Sequence, residues 1–240
     1  MINLKINDVM EDIIKIAFIG HQRENYLPHI SAEKALLEAF ENLEVTYESS
    51  WISPEATINT EEIEKYNAFW LLSDPVNFTD KAISLLEQIR IKDIPLLATG
   101  TAFKTFIVEF IRNILKDENE ESYMEYYNDI TDYTNVSVKI NSGTLAERIY
   151  LKDSTFNQTN CSFGLNTEKT QILEDGGLIF SGKDEDGNVK IAELPANHFY
   201  LSTLYLPQLN SESQSPSKLI TAFIKAGILH FLSKNSIIAK

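Results

Sequence analysis

Four short apolar runs in the first half of the chain, each followed by an amphipathic or capped segment, limit its folding choices most. They are IKIAFIG (14–20), EVTYESSW (44–51), AFWLL (68–72) and IPLLA (94–98). Runs of this length bounded by turn residues read as strands, and unbroken apolar ones as strands buried on both faces. Between them the spacing predicts helices starting near Ser31, capped by Thr60 through Tyr66, and capped by Thr79 through Ile91. A longer helix follows Gly100 in TAFKTFIVEFIRNIL (101–115). Strand–helix alternation of this kind predicts a parallel sheet with helices on both faces and Gly100 at the carboxyl end of a central strand.

The second half reads as strand-rich. VSVKI (136–140), ERIYL (147–151), GGLIFSGK (176–183), NVKIAEL (188–194) and HFYLSTLYL (198–206) are predicted strands. Asp184-Glu185-Asp186-Gly187 is a hairpin signal, its glycine suited to positive φ; the acids lack the downstream glutamate of a calcium loop. Pro216 opens a last amphipathic helix, 217–234. Between the halves, 117–133 holds seven acids, four tyrosines and no basic residue. It reads as a solvated excursion, with a tyrosine-rich docking surface as the sharper alternative. No repeat or compositional break divides the chain, so a single domain over 1–240, with a core of about 14–232, is expected.

Composition closes off several function classes. With 35 acidic and 21 basic residues, the formal charge of −14 opposes nucleic acid and anionic membrane surfaces as partners. No apolar run is long enough to span a bilayer, and the acids among the first apolar residues argue against a secretory signal. One cysteine, Cys161, leaves no disulfide framework and no multi-cysteine metal site, which points to the cytoplasm. Gly20 and Gly100 stand alone rather than in a phosphate-binding loop. No cofactor and no metal are expected.

Several segments, in order and at compatible spacing, resemble the C-terminal glutamine amidotransferase domain of CTP synthase over about residues 14–232. IKIAFIGH followed by HISAEKAL is similar to its opening strand and first helix. IPLLATGTAFKTFIVEFIRNIL resembles its nucleophile strand, turn and helix, with VEFIRN (108–113) as one of its motifs. GGLIFSG, the ELP at 193–195 and SPSKLITAFIKAG (215–227) resemble its closing hairpin and last helix. The resemblance implies a class I amidotransferase, flavodoxin-like α/β fold.

It also names the positions to inspect. In that family a thiolate attacks the glutamine amide, a histidine moves protons, a carboxylate orients the histidine and backbone amides hold the oxyanion. The nucleophile position aligns with Gly100, which has no side chain. The hydroxyls of Thr99 and Thr101 are offset by one residue on a sharp turn. The family's His-Pro-Glu aligns with Leu206-Pro207-Gln208, which supplies neither base nor orienting carboxylate. The oxyanion loop aligns with Leu72-Ser73-Asp74-Pro75, where Pro75 has no N–H to donate. The substrate-binding arginine strand aligns with Asn160-Cys161-Ser162-Phe163-Gly164. Taken together, the resemblance implies a degenerate amidotransferase without glutaminase activity.

If a cleft persists beside Gly100, the expected lining is Ser73, Asp74, Thr99, Thr101, Phe103, Cys161, Leu206 and Gln208. Its ligand would be partly apolar and neutral or cationic, with Asp74 as charge partner; closure of the cleft by Leu206 and Phe103 is the competing expectation. His21 and His29 flank the carboxyl edge of the sheet and read as surface residues. His198 and His230 read as structural. The function left is binding of a small molecule or a protein partner, with a homo-oligomer open. Enzymatic chemistry of another kind in a remodelled pocket, and service to a synthase in trans, are the alternatives.

Overall fold

The computed structural model describes residues 13–74, 79–127, 132–211 and 215–238. The chain runs β1 (Ile14–Ile19), α1 (Leu27–Leu43), β2 (Tyr47–Ile52), α2 (Thr60–Ile63), β3 (Ala68–Leu71), α3 (Asp80–Ile91), β4 (Leu96–Thr99) and α4 (Ala102–Phe110). It continues through β5 (Met124–Tyr126), β6 (Thr134–Ile140), α5 (Leu145–Tyr150), β7 (Ser154–Thr159), β8 (Phe163–Leu165) and α6 (Thr170–Asp175). The last elements are β9 (Ile179–Lys183), β10 (Val189–Glu193), β11 (Tyr200–Thr203) and α7 (Lys218–Ile238).

Nine strands form one sheet in the order β2-β1-β3-β4-β11-β10-β9-β6-β7. The first five are mutually parallel and the rest antiparallel. Strands β3 and β4 are buried at every residue, as parallel strands covered on both faces must be. Alternation along a strand splits the core in two. Ala17, Ile19, Phe69, Leu71 and Leu96 pack against α3 and α4, with Leu86 and Phe106 among their neighbours. Ile16, Phe18, Trp70 and Leu97 face α1 and α7, meeting Leu36, Phe40, Phe223 and Ile224. Among the described residues, no helix is long and apolar enough to cross a membrane.

Several boundaries differ from expectation for local reasons. Helix α1 starts at Leu27, four residues before Ser31, because Pro28 is accommodated in its first turn. Asn59, rather than Thr60, caps α2, in a reciprocal box with Glu62, and this helix stops at Ile63. Thr79 stands at the N-cap of α3, but its hydroxyl donates to Pro54 O at 3.0 Å. The helix after Gly100 is α-helical only to Phe110; Ile111–Leu115 widens into a π turn, closed by Lys116 at φ 58.

ERIYL, predicted as a strand, is helix α5. Thr144 Oγ1 accepts from Glu147 N at 3.2 Å, and Glu147 Oε2 accepts from Gly143 N at 2.7 Å. The buried Glu193 carboxylate accepts the next two orphan amides, Leu145 N at 2.8 Å and Ala146 N at 3.2 Å. Negative charge at a helix N-terminus is favourable, and here it comes from a strand 48 residues away. The acidic segment supplies a short 3-10 turn (Glu120–Tyr123) and β5, which pairs antiparallel with β8 in a separate two-stranded sheet. The polar strand β7, STFNQT, has no apolar run to announce it. The hairpin at 184–187 forms as expected, with Gly187 at φ 88.

Candidate functional site

The β4–α4 turn stands at the carboxyl end of a strand flanked by β3 and β11. Gly100 makes the turn in the left-handed region, φ 66, and α4 begins two residues later. Its N–H is shared between Thr203 O at 2.9 Å and Tyr205 O at 3.1 Å. A Cβ at this position would lie 2.7 Å from Leu206 Cδ2, 2.9 Å from Ser73 Cβ and 3.0 Å from Ser73 Oγ. The fully buried Leu206 side chain therefore occupies the space into which a side chain at residue 100 would project. Gln208, two residues on in a 3-10 turn (Pro207–Asn210), points instead toward α1. Its Nε2 donates to Pro28 O at 3.4 Å, while its buried Oε1 has no hydrogen-bond partner among the described residues.

Two hydroxyls close the turn on itself. Thr101 N donates to Ser73 Oγ at 3.3 Å, and Asp74 N donates to Thr101 Oγ1 at 3.1 Å. The Thr101 hydroxyl donates to Asp74 O at 3.0 Å and lies 2.9 Å from Ser73 Oγ. One arrangement of protons satisfies all four contacts: Ser73 O–H to Thr101 Oγ1, and Thr101 O–H to Asp74 O. The backbone amides of Thr101 and Asp74 thus already have acceptors.

The β1–α1 connection holds the same loop from the other side. The Asp74 carboxylate is fully buried; its Oδ2 accepts from His21 N and lies against His21 Nδ1, both at 2.9 Å, and Arg23 approaches Oδ1 at 3.7 Å. His29 is 1% exposed, not a surface residue as expected. Its Nδ1 accepts from Arg23 N at 3.2 Å, so Nε2 carries the proton donated to Ser73 O at 2.9 Å. Burial pushes the His29 pKa down, against the opposing pull of Ser73 O and Asp74, which keeps the ring neutral. Pro75 lies outside the described residues.

A cavity of about 460 Å³ opens beside this turn. Of the expected lining residues, Asp74 and Thr101 reach it. Ser73, Thr99, Phe103, Cys161, Leu206 and Gln208 are buried and take no part in its lining, and Leu206 packs over Gly100. Apart from Ser162 and Phe163, on the stretch aligned with the substrate-binding strand, the walls come from residues not named as lining from the sequence. Lys104 Nζ donates to Glu121 Oε1 at 2.7 Å and Tyr126 OH at 2.5 Å. Arg112 pairs with Asp80 at 2.7 Å and with Glu120. Ile83, Val108 and Phe163 supply apolar wall. One signal was available: Lys104 follows Gly100 by four residues, one helical turn along the face that meets the cleft.

Cys161 lies between β7 and β8, 5% exposed, and burial pushes its thiol up to about 11. Thiolate is the reactive form, so native Cys161 should react with iodoacetamide at pH 8 at least about 100-fold more slowly than in the urea-unfolded chain. Comparable rates in the two states would make it an accessible thiol. His198 pairs with Asp93 at the opposite edge of the sheet, and His230 is on α7. Among the described residues, no three His, Cys, Asp or Glu side chains converge as a metal site.

No protein-family model matches the chain. It is 24% identical over 247 residues to the CTP synthase of Pyrococcus abyssi and 26% identical over 238 residues to that of Saccharolobus solfataricus. These alignments cover 90% and 89% of this chain but 45% and 44% of those proteins, so the chain spans less than half the length of the curated relatives it matches. The glutaminase domain of Trypanosoma brucei CTPS with bound acivicin superposes with a TM-score of 0.76 at 16% identity, over 90% of this chain and 94% of that one. PurLQS from Thermotoga maritima superposes with a TM-score of 0.58 at 9% identity, over 92% and 100%. The chain has the class I glutamine amidotransferase fold and is homologous to the glutamine amidotransferase domain of CTP synthase.

Proposed function

We propose that this protein has lost glutamine hydrolysis and binds a small molecule in the cleft beside Gly100, in the cytoplasm. The closed turn carries the reading. Gly100 offers no nucleophile, Leu206 occupies the space where one would stand, and Ser73 and Thr101 hold the amides that an oxyanion would need. Oxyanion donors commonly contribute about 3–4 kcal/mol to such reactions, and donors already hydrogen-bonded within the protein cannot supply it.

The cleft composition supports a ligand different from glutamine. Besides Asp74, whose carboxylate is buried, its lining has three carboxylates, Asp80, Glu120 and Glu121, against Lys104 and Arg112. Both cations already sit against carboxylates, which leaves the surplus negative. Asp74 is buried against His21 and Arg23, so a cationic ligand would share Glu120 and Glu121 with Arg112 and Lys104, with Phe163 and Val108 for its apolar part. An amine or guanidinium compound with an apolar segment fits this lining.

Purified protein incubated with glutamine should release no ammonia above a heat-killed control. Release that exceeds the control and disappears in Thr101→Ala would overturn the loss of hydrolysis. In a thermal-shift series, phenethylamine and agmatine should raise the midpoint of the parent and lose that effect in Glu121→Gln. Stabilisation by glutamine alone would overturn the ligand class.

A second reading rests on His21. Its Nδ1 is held by a buried carboxylate while the side chain stays 34% exposed, the arrangement of a general base. A substrate turnover lost in His21→Gln, with its pH profile, would favour that reading.

A further inference from the structure

A second cavity, of about 320 Å³, lies at the far edge of the nine-stranded sheet. Lys152, the edge strand β7 and the entry into α7 enclose it, and the turn at Pro207–Asn210 closes one side. Among the described residues its charged lining consists of Lys152 and Lys218, with no carboxylate. In a chain with 35 acids and 21 bases that is an inversion of the average field. The larger cleft behaves oppositely, since both of its cations are paired. Among the described residues, neither Lys152 nor Lys218 has a carboxylate within ion-pair distance.

The cavity also has structure around these charges. Lys218 Nζ donates to Tyr150 O at 2.8 Å, which fixes the ammonium at the wall and leaves two donors for another acceptor. The hydroxyls of Ser154 and Ser217 line it as well. The Asn210 amide donates to Phe156 O at 2.8 Å and so anchors the turn to the strand edge. At the rim the Phe156 side chain is 71% exposed. The first residue of the 21-residue helix α7 also borders the cavity, and the positive end of the helix adds to the lysines.

Two ammonium groups with no carboxylate partner among the described residues suit a dianion. A phosphate monoester carries about −1.5 to −2 near neutral pH and presents three acceptor oxygens. A planar group attached to it would cover the exposed ring. We propose that this cavity binds a phosphate monoester bearing a planar ring, with the phosphate between Lys152 and Lys218 and the ring against Phe156. The site is separate from the cleft at Gly100 and does not depend on what that cleft binds.

Isothermal titration of the full chain at low salt with phenyl phosphate tests this, with inorganic phosphate and phenol as separate arms. Phenyl phosphate should bind, inorganic phosphate should bind at least about tenfold more weakly, and phenol should give no saturable heat. Lys152→Gln and Lys218→Gln should each weaken phenyl phosphate about tenfold, whereas Lys218→Arg should keep most of the affinity. Phe156→Ser should lower phenyl phosphate to the level of inorganic phosphate and leave inorganic phosphate unchanged. Among the described residues the Lys152 side chain makes no hydrogen bond or ion pair, so its variant reports on binding even if changes at Lys218 disturb α7. Absence of saturable binding overturns the proposal. So does an equal loss in the control Lys15→Gln, which changes the protein's net charge by the same amount outside the cavity.

Discussion

Arg90→Met should destabilise the protein by about 3–5 kcal/mol, the usual result of stripping one partner from a buried ion pair. Arg90 lies in the last turn of α3, and Glu109 lies on α4 with its side chain 0% exposed. The guanidinium grips that carboxylate through Nε at 2.9 and 3.2 Å and through Nη2 at 2.8 Å. Asn113 Nδ2 adds a contact at 3.3 Å that cannot replace the lost charge. Methionine preserves much of the stem packing, so the measured loss reports chiefly the stranded carboxylate. Urea unfolding should show a lower midpoint with an unchanged slope. The double variant Arg90→Met/Glu109→Met should recover most of the loss, because apolar replacement of a whole buried pair is often neutral. A single-variant loss below about 1 kcal/mol, or no recovery in the double variant, would remove the pair from the forces joining α3 to α4.

Gly100→Ala should cost about 2–5 kcal/mol, a large effect for one methyl group. The left-handed backbone at φ 66 disfavours any L side chain by roughly 1–2 kcal/mol. The methyl must also displace Leu206 Cδ2 and Ser73 Cβ, and overpacking a filled core typically costs about 1–3 kcal/mol more. Leu206→Ala alone should cost about 2–5 kcal/mol by opening a cavity. Combined with Gly100→Ala, the two losses should fall short of additivity by more than about 0.5 kcal/mol, because each relieves the other. Strict additivity would mean that Leu206 does not occupy the space facing Gly100. The same geometry predicts that Gly100→Cys/Leu206→His/Gln208→Glu does not acquire glutaminase activity, since the amides of Thr101 and Asp74 keep their hydroxyl partners. Ammonia release by that triple variant would show the hydroxyl ring to be no barrier.

Local pattern was enough to specify the parallel half of the sheet, because β1, β3 and β4 are runs of apolar residues whose burial on both faces leaves a parallel, helix-covered sheet as the natural solution. Gly100 at a strand-to-helix turn and Gly187 in a hairpin were legible for the same reason, since each adopts a backbone that few other residues tolerate. ERIYL was not: its apolar residues suit a strand as well as a helix, and the capping carboxylate of Glu193 comes from another element. The fate of the site also lay beyond local pattern. Periodicity tells that Leu206, Ser73 and Thr101 are buried or near a turn, but not that three segments 28 to 133 residues apart close on one glycine. The cavity walls likewise join Lys104 to Glu121 and Arg112 to Asp80, pairs that only the packing of α3, α4 and the acidic segment brings within reach. Strand and helix propensities act over a few neighbouring residues, whereas the occupant of an interior space is set by whichever distant side chain the fold delivers to it.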